Sequence, residues 1–205
     1  MVDDAKNAEV IRPKTATGMT NSGIAARITV LALARGVFAG ISATTGMTST
    51  VYLSLGSNMG DREGHLREAI AQLGWCGRVT AVSSFYETEP VEFTEQAWFL
   101  NCAVGLDTML DAAPLMNELL EIEKEMGRER VLPKGPRVID IDILLFGNLV
   151  VNSAGLTIPH PAMAGRRFVL QPLAEIAPEV RHPVFGKTVR ELLDGLPAGQ
   201  VVRKV

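Results

Sequence analysis

Strong charge, long apolar runs, cysteines and aromatics are all scarce in this 205-residue sequence, and each scarcity closes off a class of protein. Twenty Lys and Arg against 23 Asp and Glu leave a net charge of -3, which argues against a broad nucleic-acid-binding surface. Any basic site for phosphates must therefore be concentrated in a local pocket. The longest small-residue apolar run, Ile28 to Ile41, is broken by Arg35 and Gly36 and is too short to span a bilayer. A secretory signal needs basic residues followed closely by an apolar core, whereas this chain opens with Asp3 and Asp4 and delays its apolar run. The two cysteines, Cys76 and Cys102, match neither a metal-knuckle spacing nor a disulfide framework. They read as buried thiols in a reducing, cytoplasmic setting. Only 5% of residues are aromatic.

What is present is 47% hydrophobic and 21% charged sequence, the profile of one compact domain with an appendage. Residues 1–46 differ in composition and read as a disordered or weakly helical N-terminal extension, with Met47 a candidate translation start; residues 47–205 carry the domain. An N-terminal mass beginning at Met1 would exclude that start. The sequence is silent on oligomeric state, and a monomer is the default expectation.

From Val51 the punctuation is regular. VYLSLG alternates Val51, Leu53 and Leu55 against Tyr52, Ser54 and Gly56, a strand ending at a glycine turn. A helix follows with Leu66, Ala69, Ile70 and Leu73 on one stripe, closed by Gly74. One strand is expected over Arg78 to Tyr86 and another from Trp98 to about Leu106. A second helix starts at Asp111, buries Leu115, Leu119, Ile122 and Met126, and stops at Gly127. The segment GPRVIDIDILLFGN then gives a strand that turns at Gly147-Asn148 into the apolar run Leu149 to Val151. The order β-α-β-β-α-β predicts an α+β, ferredoxin-like fold with an antiparallel sheet, both of these helices on one face, and C-terminal hairpin and helical additions. With the apolar parity turned to the helices, Ser54, Gly56, Phe99, Asn101, Asp140 and Asp142 share the other face, which is expected to be open. They describe a floor on which a ligand can lie.

Asp140 and Asp142 need an explanation, because two anions about 7 Å apart on an otherwise apolar strand repel and are costly to desolvate. One reading is a binding site for hard cations, since Mg²⁺ takes one or two carboxylates and completes its shell with water and substrate phosphate. The alternative is that one Asp pairs with Arg137 while the other faces water. Arg128 and Arg130 leave the second helix into a loop holding Pro133, Lys134, Gly135 and Pro136, and Arg166 and Arg167 come later. A single polyanionic ligand would account for these arginines together. His160, held between Pro159 and Pro161, is either a phosphate donor or a loop cap. Phe99, Asn101 and Phe168 suit a flat ring with polar edges.

Taken in order, Leu55-Gly-Ser-Asn58, Ser84-Phe-Tyr-Glu-Thr-Glu-Pro90, Phe99-Leu-Asn101, Glu123 with Gly127-Arg-Glu-Arg130, Gly135-Pro-Arg-Val-Ile-Asp-Ile-Asp-Ile143, and Pro159-His160 followed by Arg166 and Phe168 resemble the 6-hydroxymethyl-7,8-dihydropterin pyrophosphokinases of folate biosynthesis. The match covers roughly Val51 to Leu196. It implies pyrophosphoryl transfer from ATP to the pterin hydroxymethyl oxygen, leaving AMP, with these two small molecules as the only partners. By the same resemblance, Asp140 and Asp142 would hold two Mg²⁺ ions. Phe99 and Phe168 would sandwich the pterin, with Asn101 and the backbone near Thr88 and Val91 at its edge. Glu123, Arg137, His160 and Thr157 would line the ATP site, Arg128 and Arg130 would ride on a lid, and Arg166 would stabilise the group in transfer. Lys134 stands where many members carry an aromatic, and the lid segment Val131 to Lys134 is short. The nucleotidyltransferase palm also uses carboxylates on an open sheet, but its Asp-x-Asp follows Gly-Ser within about a dozen residues, whereas Gly56-Ser57 and Asp140 lie far apart. A non-catalytic module of the same fold would not need both the Asp pair and the arginines.

Overall fold

A computed structural model describes residues 48–90, 96–128 and 135–205. The proposed extension 1–46, together with Val91, Arg130 and Lys134, lies outside the described residues.

Strand β1, Ser49–Ser57, buries Val51, Leu53 and Leu55 completely, as its alternation predicts. Helix α1, Arg62–Leu73, starts at Asp61, whose carboxylate accepts a hydrogen bond from Gly64 N at 3.0 Å, and sinks Leu66, Ala69 and Leu73. The strand expected over Arg78 to Tyr86 is instead two pieces, β2 (Arg78–Val82) and β3 (Tyr86–Thr88). Both pair with the same edge of β4, Phe99–Thr108. The break falls at Ser83. Its hydroxyl accepts from Ala103 N at 2.9 Å and donates to Ser84 O at 2.7 Å, so a side chain takes over bonds that a continuous strand gives to backbone. Helix α2, Ala112–Glu125, buries Leu115, Leu119 and Ile122 and gives way to Gly127 at φ 86°, a left-handed conformation that glycine adopts without strain. Strand β5 is Asp140–Phe146.

The main sheet runs β5-β1-β4, with β2 and β3 on the far edge of β4, and every pairing among these strands is antiparallel. This is the ferredoxin-like arrangement. After Phe146 the chain turns at Gly147, at φ 49°. It then forms a separate ribbon of β6 (Val151–Ser153) and β7 (Leu156–Ile158), while Leu149 and Val150 remain exposed. A 3₁₀ turn at Met163–Gly165, helix α3 (Arg167–Ile176), helix α4 (Val189–Asp194) and strand β8 (Val202–Lys204), paired to β3, complete the domain. Among the described residues no helix is long and apolar enough to cross a membrane.

Helices α1 and α2 cover one face through the cluster built on Leu53, Leu55, Leu66, Leu115, Leu119 and Ile141. The other face is not open along its whole length. A second core joins Ala103, Leu144 and Leu145 to Val169, Leu170 and Leu173 of α3 and to Val189, Leu192 and Leu193 of α4. An irregularity in register between Tyr52 and Leu53 lets both Leu144 and Leu145 enter this core, because one extra residue shifts strand parity. Among the described residues, the end carrying Gly56, Asn101 and Asp140 is left as a cleft. Cys76 and Cys102 are buried and unbridged. Burial pushes both thiols up to about 12, with Glu118 adding to the rise at Cys76.

Candidate active site

The uncovered end of the sheet is a cleft of about 330 Å³. Register builds its floor: Gly56 stands between Asn101 on one side and Asp140 on the other, and Ser54 faces Asp142. Strand period therefore does what the sequence expects of it, bringing an amide and two carboxylates onto one surface.

One half of the cleft suits a flat ring. Phe99 from β4 and Phe168 from the first turn of α3 line it, with Thr88 and Pro90 beside them. Asn101 is only 4% exposed, and its Nδ2 donates to Thr88 Oγ1 at 2.7 Å. That bond fixes which way the amide faces. The Arg137 guanidinium lies 5.5 Å from the Phe99 ring centre and that of Arg166 lies 5.6 Å from Phe168. Each aromatic thus adjoins a cation that also borders the acidic half.

In the acidic half the two carboxylates differ. Asp140 is clamped, with Oδ1 2.7 Å from Arg128 and Oδ2 2.6 Å from Arg137. Arg128 also pairs with Glu123. Asp142 has no such clamp among the described residues: 39% of its side chain is exposed, and His160 Nε2 is 4.0 Å away. Burial raises its pKa to about 7, reinforced by repulsion from Asp140 and Glu123 and only partly offset by Arg166 and Arg128. His160 shifts the other way, lowered by burial and then by the Arg166 charge. Its Nδ1 accepts from Ala162 N at 3.2 Å, which leaves Nε2 to carry the proton and face Asp142. A smaller cavity of about 240 Å³ adjoins, lined by Met116, Leu156, Thr157 and His160, with Asp142 on its rim as well.

The structure therefore gathers Thr88, Phe99, Asn101, Arg128, Arg137, Asp140, Asp142, Arg166 and Phe168 in one cleft, with Thr157 and His160 next door. Glu123 is the residue found elsewhere than expected. It does not line the cleft; it is 2% exposed beneath the floor, where its Oε1 accepts from Ile141 N at 2.7 Å. Burial raises its pKa even though Ile141 N and Arg128 favour its charge. Its parity on α2 turns it inward with Leu119 and Ile122, which explains a support role behind β5. The alternative raised for the carboxylate pair is half realised, because Asp140 does pair with Arg137. Asn58 is the residue whose role the sequence left unread. It is 4% exposed, accepts from Arg137 N at 2.8 Å, and donates to Gln96 Oε1 at 2.9 Å and Ala97 O at 3.2 Å. It joins the segments on either side of the cleft; its position after a Gly-Ser turn was the only available signal.

Compared with known proteins, residues 52–178 match the sequence model of 7,8-dihydro-6-hydroxymethylpterin-pyrophosphokinase (HPPK). The chain belongs to the HPPK family. A 2-amino-4-hydroxy-6-hydroxymethyldihydropteridine pyrophosphokinase of Bacillus subtilis (strain 168) is 48% identical over 136 residues, covering 65% of this chain and 81% of the relative. The Methylorubrum extorquens protein of the same name is 46% identical over 151 residues, covering 72% and 94%. Among solved structures, wild-type Plasmodium falciparum HPPK-DHPS with STZ-DHP superposes with a TM-score of 0.61 at 18% identity, over 74% of this chain. That likeness concerns the fold alone. The chain spans 44% of the length of that larger protein, so it corresponds to part of it.

Proposed function

We infer that this chain carries out the reaction of its family, the transfer of a pyrophosphoryl group from ATP to the hydroxymethyl oxygen of 6-hydroxymethyl-7,8-dihydropterin in folate biosynthesis. The observation that carries the reading is a single cleft with a flat-ring half and a polyanion half, meeting over Gly56. The pterin lies between Phe99 and Phe168, its polar edge on Asn101, with Thr88 beside it. ATP phosphates lie over Asp142 among Arg128, Arg137 and Arg166, and Thr157 and His160 border the rest of the nucleotide. Glu123 acts from below, keeping Arg128 and the start of β5 in place.

The carboxylates fit Mg²⁺ on one observation: Asp142 is raised to about 7 by burial and then by the negative charge of Asp140 and Glu123, and a cation would offset both. Two carboxylates are a donor set for ions shared with substrate phosphates rather than caged by protein. Asp140 and Asp142 are the residues that would hold them. When bound, Mg²⁺ would neutralise phosphate charge and help align the phosphates.

The protein's own task is to bring the hydroxymethyl oxygen in line with the β-phosphorus and to offset charge spreading over the phosphates. The new O–P bond forms as the bond from the β-phosphorus to the bridging oxygen of AMP breaks. The hydroxyl proton passes to solvent or to a phosphate oxygen. Arg128 and Arg137 hold Asp140 through pairs that phosphate oxygens compete for, and a guanidinium fork suits either partner. The reading extends to a monomer and to a reducing, cytoplasmic setting, in which Cys76 and Cys102 stay unbridged.

Nucleotide analysis tests the reaction. With Mg²⁺, ATP and the hydroxymethyl dihydropterin, AMP is expected in step with the pterin diphosphate. ADP as product, or AMP released without pterin, would overturn the reading.

A further inference from the structure

The family match ends at residue 178, yet the chain beyond it runs back to the flat-ring half of the cleft. Helix α3 begins there, with Arg166 as its N-cap and Phe168 in its first turn. The first amides of a helix need acceptors from outside it, and the Arg166 side chain makes no cap bond. Gln200 supplies the acceptor from 33 residues away: its Oε1 accepts from Arg167 N at 2.6 Å, and its Nε2 donates to Gly165 O at 3.4 Å. One side chain thus grips the chain on both sides of Arg166.

The next three residues each reach another part of the same wall. Val201 N donates to Glu89 Oε1 at 3.1 Å, and Glu89 lines the cleft. Val202 pairs in β8 against Thr88, the hydroxyl acceptor for Asn101. The Arg203 guanidinium lies 5.2 Å from the ring centre of Trp98, the residue before Phe99. Four consecutive residues therefore meet the start of α3, Glu89, Thr88 and Trp98.

We propose that Gln200–Arg203 is a positioning strap that sets where Phe168 stands relative to Phe99 and Thr88, with Gln200 as its positioning residue. This rests on the reading of that half-cleft as the pterin subsite. A flat ring held on two aromatic side chains is sensitive to their separation, and displacements near 1 Å in such supports are costly. Three of the strap's four residues meet only the flat-ring wall, and Gln200 reaches the acidic half only through the backbone flanking Arg166, so the larger effect falls on the pterin and a smaller one on ATP.

Steady-state kinetics on Gln200→Ala and Gln200→Glu in the full chain, with thermal melting alongside, test this. Gln200→Ala is expected to raise the pterin KM roughly fivefold, the scale of a lost helix cap, and the ATP KM by less. Gln200→Glu is expected to restore the pterin KM in part, since a carboxylate still accepts from Arg167 N and its charge suits a helix N-terminus, although it no longer donates to Gly165 O. A pterin KM unchanged in Gln200→Ala, with or without a lower Tm, overturns the proposal. So does an equal rise in both KM values. Failure of the wild-type protein to form AMP with pterin would instead overturn the reaction assignment, and that is read before any variant.

Discussion

Replacing Asp142 by asparagine is expected to lower kcat by about 10²- to 10³-fold, the scale of losing one group that stabilises transition-state charge, while pterin affinity stays at the wild-type level. The carboxylate sits at the meeting point of both cavities and is not clamped by arginine as Asp140 is. It is therefore the readier of the two to take a cation. Its folded pKa of about 7, raised first by burial and then by Asp140 and Glu123, adds a pH signature. Between about pH 4 and pH 7 the ligand-free folded protein keeps a proton there that the unfolded chain has released. This contribution to stability is fully present below the unfolded value and is lost as pH rises through 7. Asparagine never takes the charge. Ligand-free Asp142→Asn is thus expected to melt near wild type at pH 4 and above it at pH 8, and Mg²⁺ with ATP should raise the Tm of wild type more than that of the variant. A variant that melts lower at both pH values, or that loses pterin binding as well, would mean the side chain supports the fold instead. Isothermal titration of pterin separates the two cases.

Much of this site was legible because it is built on strands. A period of two places Ser54 and Gly56, Phe99 and Asn101, and Asp140 and Asp142 on one surface without knowledge of the rest of the fold, and the observed register joins them as expected. What covers the remainder of that surface was not legible. Periodicity tells which side of a strand is apolar but not which distant helix meets it, so the roof of α3 and α4 over Leu144 and Leu145 came only with the fold. The same limit hid Gln200, whose partner is 33 positions away, and the twofold attachment of Asn58. Glu123 illustrates a different limit. The family resemblance implied that it borders ATP, and only packing revealed that its stripe on α2 turns it under β5, where it serves Ile141 N and Arg128. Ser83 interrupted a strand that composition favoured, because a hydroxyl substituted for a ladder bond.

Gly56→Ala is expected to raise the pterin KM about tenfold, or 1.4 kcal/mol, with the ATP KM and the fold largely preserved. A Cβ at this position would stand 2.6 Å from Asn101 Oδ1 and 3.8 Å from Phe99 Cδ1. The first contact is too short to persist, so the amide must move. Asn101 has little room, being buried and tied to Thr88 Oγ1. Shifting it breaks that bond and turns away the amide proposed to read the edge of the ring. Gly56 does not need glycine for its backbone, since its strand conformation is ordinary, so the effect is one of space alone. A cycle with Asn101→Ala tests the route. Removing the amide removes the colliding atom, so Gly56→Ala should add little to the KM of Asn101→Ala. Full additivity of the two changes would mean that the added methyl acts on the ligand or on Phe99 directly, and that Asn101 is not the residue through which the floor of the cleft selects its ring.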